Sequence, residues 1–150
     1  MKLRQLTLAV SLGLSTAALG RAQTDATAQA REDSTVRAVV QRYLHGLKFN
    51  DTVSFREAFW PEARLFAIRP NGQINELTQS KWYGMFAKSA GQEEQGDLRI
   101  AGVDITGNAA AVKVVEDYPG SRYTDYLNLL RISGRWWIVN KIYVMERTSH

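Results

Sequence analysis

Asp125 and Asn140 are the residues of this chain whose spacing points most directly to chemistry. The pair Ser133-Gly134 reads as a two-residue hairpin turn, and such a turn sets the register of the runs on either side. In that register Ile132 opposes Arg135, Leu129 opposes Ile138, Leu127 opposes Asn140 and Asp125 opposes Ile142. Opposed residues share a face of a sheet, and successive residues switch faces. One face then holds Tyr123, Asp125, Leu127, Leu129, Trp136, Ile138, Asn140 and Ile142. The other holds Thr124, Tyr126, Asn128, Leu130, Trp137, Val139, Lys141 and Tyr143. An acid on an apolar face has a raised pKa when it is desolvated and unpaired, which suits a general base or a neutral donor. Asp125 is therefore the candidate acid/base, with Tyr43 and Asn140 as its partners. The competing reading is that Asp125 pairs with Asn140, Tyr43 or a basic side chain and only closes the core.

Aromatic side chains could supply the walls of a site around that acid. Tyr43, Trp60, Trp82, Tyr83, Phe86 and Trp136 would line a flat apolar pocket, Tyr43 adding a hydroxyl, and this composition fits an aromatic or polycyclic ligand. Plain core packing is the alternative for most of them; Trp82 and Phe86, four residues apart, are the pair most suited to a pocket. The candidate ligand-binding set is thus Tyr43, Trp60, Trp82, Phe86, Asp125, Trp136 and Asn140. The acid pairs Glu93-Glu94 and Glu116-Asp117 read most simply as solvated edges, although Glu116 or Asp117 could reach a pocket mouth from a strand end. His45 is the only internal histidine, and with scattered acids it makes no metal site. The absence of cysteine excludes disulfides, thiolate metal sites and cysteine nucleophiles. No phosphate loop, GxGxxG or Gly-x-Ser-x-Gly pattern occurs, so no cofactor is implied.

A pI near 9.5 invites a nucleic-acid reading. Yet Lys2, Arg4 and Arg21 fall within residues 1–22, which contain no acid, and the remainder is nearly neutral. That balance leaves no electrostatic footprint for phosphate, so no nucleic-acid partner is expected. Residues 1–22 have the order of a secretory signal: two bases, an apolar run from Leu6, then small residues to Ala22. The run is short for a membrane span, so no stable membrane insertion is expected. The mature protein is expected to be exported, periplasmic or extracellular. Residues 23–32 read as a flexible tether or a frayed helix start, and residues 33–147 as one domain.

The elements that must position the candidate residues follow from periodicity. Asp33 or Ser34 could cap a helix with Val36, Val39, Val40, Tyr43, Leu44 and Leu47 on one face. Gly46 near its end suggests the close approach of another backbone. Asp51 could cap a second helix that Pro61 stops. Arg64–Arg69 and Gln73–Leu77 flank the hairpin turn Asn71-Gly72, and Thr78 or Ser80 starts a third helix through Phe86. The last third alternates strands with the turns Gly107-Asn108, Pro119-Gly120 and Ser133-Gly134. Helices first and an antiparallel sheet last make an α+β fold. If helices cover one sheet face, Tyr126, Leu130, Trp137, Val139 and Tyr143 remain on the other, a patch that usually marks an interface. A homodimer through the sheet is expected.

Several segments together resemble a known family: Tyr43–Leu47, Ala58-Phe59-Trp60-Pro61-Glu62-Ala63-Arg64-Leu65-Phe66, Ile100–Ala111, and Asp125–Leu130 with Trp137–Ile142. The chain is similar to the Putative lumazine-binding family, within the superfamily of nuclear transport factor 2, ketosteroid isomerase, scytalone dehydratase and SnoaL-type cyclases. The resemblance spans about Ser34 to Val144. It implies a cone-shaped fold, a curved sheet wrapped round helices with a pocket at the open end, and dimers through the sheet. Trp60 stands where the family pattern has His, which removes a proton-transfer group. The resemblance implies no single reaction, since fold is a weak warrant for function. Three functions are compatible: a protein that binds a small apolar or aromatic molecule; a cofactor-free isomerase, dehydratase or cyclase using Asp125; and an association module with no ligand. Thin catalytic equipment favours binding.

Overall fold

The computed structural model describes residues 13–149. The chain divides into two compact units between Glu32 and Asp33. In the first, the described residues are helical. The expected signal segment 1–22 lies partly outside the described residues, and residues 23–32 are helical. Among the described residues no helix is long and apolar enough to cross a membrane.

The second unit carries the fold. Helix α1 (Gly13–Phe49) runs through Asp33 and Ser34 instead of starting there. Asp33 is not a cap but an ion-pair partner of Arg37 one turn on. The expected stripe holds: Val36, Val40, Tyr43, Leu44 and Leu47 are buried and Val39 packs against them. A left-handed Asn50 ends α1, and the Asp51 side chain accepts from Val53 N–H at 2.9 Å to cap α2 (Thr52–Ala58). The close neighbour of Gly46 is mainly a ring: a Cβ there would sit 2.4 Å from Phe55 and 3.1 Å from the Asp51 carbonyl oxygen.

Strand β1 (Phe59–Ile68) begins before Pro61, not after it. Pro61 lies where the β1 register shifts between Phe59 and Arg64, a place where a missing N–H costs no ladder bond. Strand β2 (Ile74–Thr78) returns through the loop 69–73, whose turn is closed by Gly72 N–H donating to the Arg69 carbonyl at 2.9 Å, so that Pro70 and Asn71, not Asn71 and Gly72, are its central residues. Helix α3 (Gln79–Gly84) is shorter than expected, and a 3-10 turn (Ala87–Ser89) follows Phe86. Strands β3 (Asp97–Thr106), β4 (Ala109–Tyr118), β5 (Ser121–Ile132) and β6 (Arg135–Arg147) complete a six-stranded sheet ordered β2-β1-β6-β5-β4-β3. The sheet is curved and unclosed, and it is antiparallel except for the parallel pair β1 and β6. Ser133 and Gly134 both have positive φ, the conformation of a tight two-residue hairpin turn.

That turn starts the β5–β6 register as expected, with Ile132 opposite Arg135 and Leu129 opposite Ile138. A β-bulge then intervenes: Asn128 opposes Asn140, so Val139 is an extra residue on β6. From there to the end of the strand every β6 side chain changes face. Asp125 opposes Tyr143, not Ile142, and Leu127 opposes Lys141, not Asn140. Lys141 and Tyr143 therefore share the inner face with Asp125, while Asn140 and Ile142 lie on the outer face.

Candidate functional site

The bulge assembles a buried polar cluster from four elements. Tyr43 comes from the apolar stripe of α1, Glu116 from β4, Asp125 from β5 and Lys141 from β6. The sheet register brings the last three together. Val114 opposes Asp125 and Glu116 opposes Tyr123, so Glu116 and Lys141 both lie diagonal to Asp125, within reach of its side chain. Tyr43, Asp125, Glu116 and Lys141 are 0%, 0%, 3% and 4% exposed, which leaves water little part in pairing them. Lys141 Nζ lies 2.6 Å from Asp125 Oδ2 and donates to the Tyr43 hydroxyl at 2.6 Å. The Tyr43 hydroxyl in turn donates to Asp125 Oδ2, with Glu116 Oε1 3.0 Å away as a second acceptor.

The electrostatics follow from this burial. Desolvation pushes the Glu116 carboxyl up to about 8; the Lys141 charge opposes the rise and the Asp125 charge adds to it. Desolvation, then the nearby Asp125 and Glu116, raise the Tyr43 hydroxyl well above its ordinary value. Burial thus favours the protonated form of both groups. Lys141 is also held by rings: its ammonium lies 5.1, 5.4 and 4.9 Å from the ring centroids of Tyr43, Trp82 and Tyr143.

Glu116 and Lys141 form the inner end of a cavity of about 1120 Å³. Trp82, Phe86, Tyr118, Tyr123 and Tyr143 supply its aromatic lining, and the exposed Arg69, Glu93 and Glu94 line it as well. Trp82 and Phe86 pack edge to face at 5.1 Å, both against Phe55 of α2. A concave apolar site with a few convergent polar groups is the usual form of a small-molecule pocket. Among the described residues no group of three or more His, Asp or Glu side chains could hold a metal ion.

Of the expected site residues, Tyr43 and Asp125 meet in the cluster, one layer behind the cavity lining, and Trp82 and Phe86 line the cavity. Asn140 does not join them: the bulge turns it outward, where it accepts from Asn128 at 2.9 Å. Trp60 lies against Trp137, ring centroids 5.9 Å apart, because it neighbours Phe59 and takes the opposite face of β1. Trp136 is core, with Arg131 6.0 Å from its ring centroid. His45 is exposed beside Asp51 and Phe49. On the outer face Tyr126 and Leu130 are exposed as expected, joined by Ile142 and Val144. Trp137 is half-buried beneath the Arg135 guanidinium, 3.9 Å from its ring centroid. Val139 is half-buried at the bulge, and Tyr143 is inside.

Sequence reasoning placed Lys141 on the outer face and Glu116 at a solvated edge. Lys141 carries no local signal of the bulge that inverts it. Glu116 had a partial one, since its strand end was within reach of a pocket mouth. Asp117, its neighbour, points to solvent and binds Arg99 and Arg122.

No curated protein matches this chain at a significant level. Among solved structures, an NTF2-like protein of unknown function from Shewanella baltica is 27% identical, with a TM-score of 0.73 over 79% of this chain and 97% of that one. A second NTF2-like protein, from Silicibacter pomeroyi, is 23% identical with a TM-score of 0.70, over 79% and 98% of the two chains. A cystatin-like fold protein from Burkholderia xenovorans is 17% identical with a TM-score of 0.58, over 77% and 92%. The described curved sheet is theirs in architecture. Residues 31–144 match the family described as Putative lumazine-binding, and the chain belongs to that family, with the NTF2-like fold.

Proposed function

We propose that this chain binds a small, flat, apolar or aromatic molecule in the cavity of its sheet. The observation that carries the reading is the cavity itself: an aromatic lining that ends on two buried polar side chains, Glu116 and Lys141. Rings supply area for stacking, and a few fixed polar groups orient what is stacked. Family membership supports small-molecule binding of this coarse kind. Titration with lumazine, a flavin and a steroid, followed by tryptophan emission, tests it. Quenching that disappears in Trp82→Phe supports the reading; emission unchanged by every probe counts against it.

A second reading is a cofactor-free isomerase, dehydratase or cyclase. It is favoured by Glu116 rather than Asp125, because Glu116 lines the cavity and burial raises its carboxyl toward the range in which a general acid/base works. Asp125 is closed off behind Lys141 and Tyr43. Turnover of an enolisable ligand that is lost in Glu116→Gln with binding retained would favour this reading over binding alone.

Two further parts of the proposal concern the setting of the cavity. Export is supported by Lys2 and Arg4 ahead of the apolar run from Leu6; mass spectrometry of the mature protein reads the cleavage. Dimerisation is supported by the apolar outer face at Tyr126, Leu130, Ile142 and Val144.

A further inference from the structure

We propose that Glu116 and Asp125 share one proton, leaving the inner end of the cavity electroneutral, and that the ligand is accordingly an uncharged molecule whose carbonyl oxygen accepts from Lys141. This deepens the binding reading above and rests on it.

The first observation is an orphan. Asp125 Oδ1 is buried without a hydrogen-bond partner, although Oδ2 of the same carboxylate takes both Lys141 and Tyr43. A buried acceptor left unsatisfied is costly and calls for a donor. Glu116 is the adjacent group: it reaches the same Tyr43 hydroxyl and lies within hydrogen-bonding reach of Asp125. Two ionised carboxylates cannot satisfy each other, but one proton between them does. The groups facing Glu116 are Tyr43 from α1, Tyr118 from its own strand, Asp125 from β5 and Lys141 from β6; Glu94, ahead of β3, acts on Tyr118. With one shared proton, the ammonium of Lys141 balances the single remaining negative charge.

The second observation concerns donors. An ammonium has three N–H groups. Lys141 spends two on Asp125 and Tyr43, and it lines the cavity beside Trp82 and Tyr143. A third N–H remains for a ligand stacked on those rings. A ligand carboxylate would have to compete with Asp125 for the ammonium, and a ligand ammonium would lie against Lys141. Either sets a ligand charge against the buried Lys141–Asp125 pair at the inner end of the cavity, a cost that a carbonyl avoids.

The experiment titrates the full chain with a naphthyl ketone, naphthoate, naphthylmethylammonium and naphthalene, reading tryptophan emission. At about pH 6 the ketone should bind about tenfold more tightly than naphthalene or either ion, as one added hydrogen bond to a charged donor predicts. At about pH 9.5, with Glu116 ionised and drawing Lys141 toward itself, the ketone should lose that advantage. Glu116→Gln should remove the pH dependence of the ketone affinity. It should also remove the infrared band of a protonated carboxyl at neutral pH. If that variant does not fold, the pH profile of the unmodified protein remains decisive. Naphthoate or the ammonium binding more tightly than the ketone at about pH 6 overturns the inference, as does a ketone no better than naphthalene or a ketone affinity flat with pH. Each of those outcomes leaves the binding reading standing; silence from every probe overturns the binding reading itself.

Discussion

Tyr43 is the hub of the buried cluster, since its one hydroxyl accepts from Lys141 and donates toward the two carboxyls. Tyr43→Phe should cost about 1–3 kcal/mol, because a buried donor and acceptors lose their partner. Lys141→Met should cost more, about 3–5 kcal/mol, because it strands the Asp125 carboxylate. The double variant Lys141→Met, Asp125→Leu should recover most of that loss, and urea denaturation of the set reads all of these. Glu116 makes a separate, pH-resolved prediction. Its carboxyl is raised from 4.5 to about 8 on folding, so the folded state binds the extra proton between those values. Stability from this group is complete below about pH 4.5 and is lost as pH rises to about 8, with a slope of at most about 1.4 kcal/mol per unit. Glu116→Gln should flatten that slope. Asp51, lowered chiefly by the Ser54 hydroxyl, and Asp117, lowered chiefly by Arg122, act in the opposite sense. Their contribution is lost only as pH falls through their depressed values, so the two windows do not overlap.

At the scale of elements, the bulge at Val139 and the turn from α1 to α2 do the positioning. Gly46 leaves room for Phe55, which stacks on Tyr83 and packs tilted against Trp82, the α3 ring that lines the cavity. Gly46→Ala should cost about 1–3 kcal/mol by overpacking, and thermal melts read the loss directly. It should also weaken any ligand that stacks on Trp82, since Phe55 and Trp82 are in ring contact at 4.6 Å. The helix stripe, the Asp51 cap and the hairpin turns were legible because each is set by residues close in sequence. The start of β1 was not. Pro61 is a reliable helix stop, but α2 had already ended at Ala58 and the proline was absorbed at a register shift. The extra residue in β6 was not legible either, because Val139 has the side chain of an ordinary strand residue.

For the whole molecule, the proposed dimer surface is the outer face with its membership revised: Tyr126 and Leu130 stay, Ile142 and Val144 enter, and Tyr143 leaves for the cavity. Leu130→Lys with Ile142→Lys should turn a dimer into a monomer in light scattering at tens of micromolar, with ligand quenching retained. An unmodified chain that is already monomeric there removes the dimer reading. The α+β class, the family, the helix stripe and the order of turns were determined by the sequence alone, because periodicity, caps and turn residues act over a few positions. The sequence also singled out Tyr43, a phenol on an apolar stripe, and Asp125, an acid on an apolar face, and the two meet in the buried cluster. Tertiary structure alone decided their company. One bulged residue exchanged Asn140 for Lys141 and Ile142 for Tyr143 on the inner face, and the curved sheet brought Glu116 beside them out of water. Because strand side chains alternate with a period of two, a one-residue slip reverses every face beyond it, and what produces the slip is pairing between strands, which no local run of residues contains.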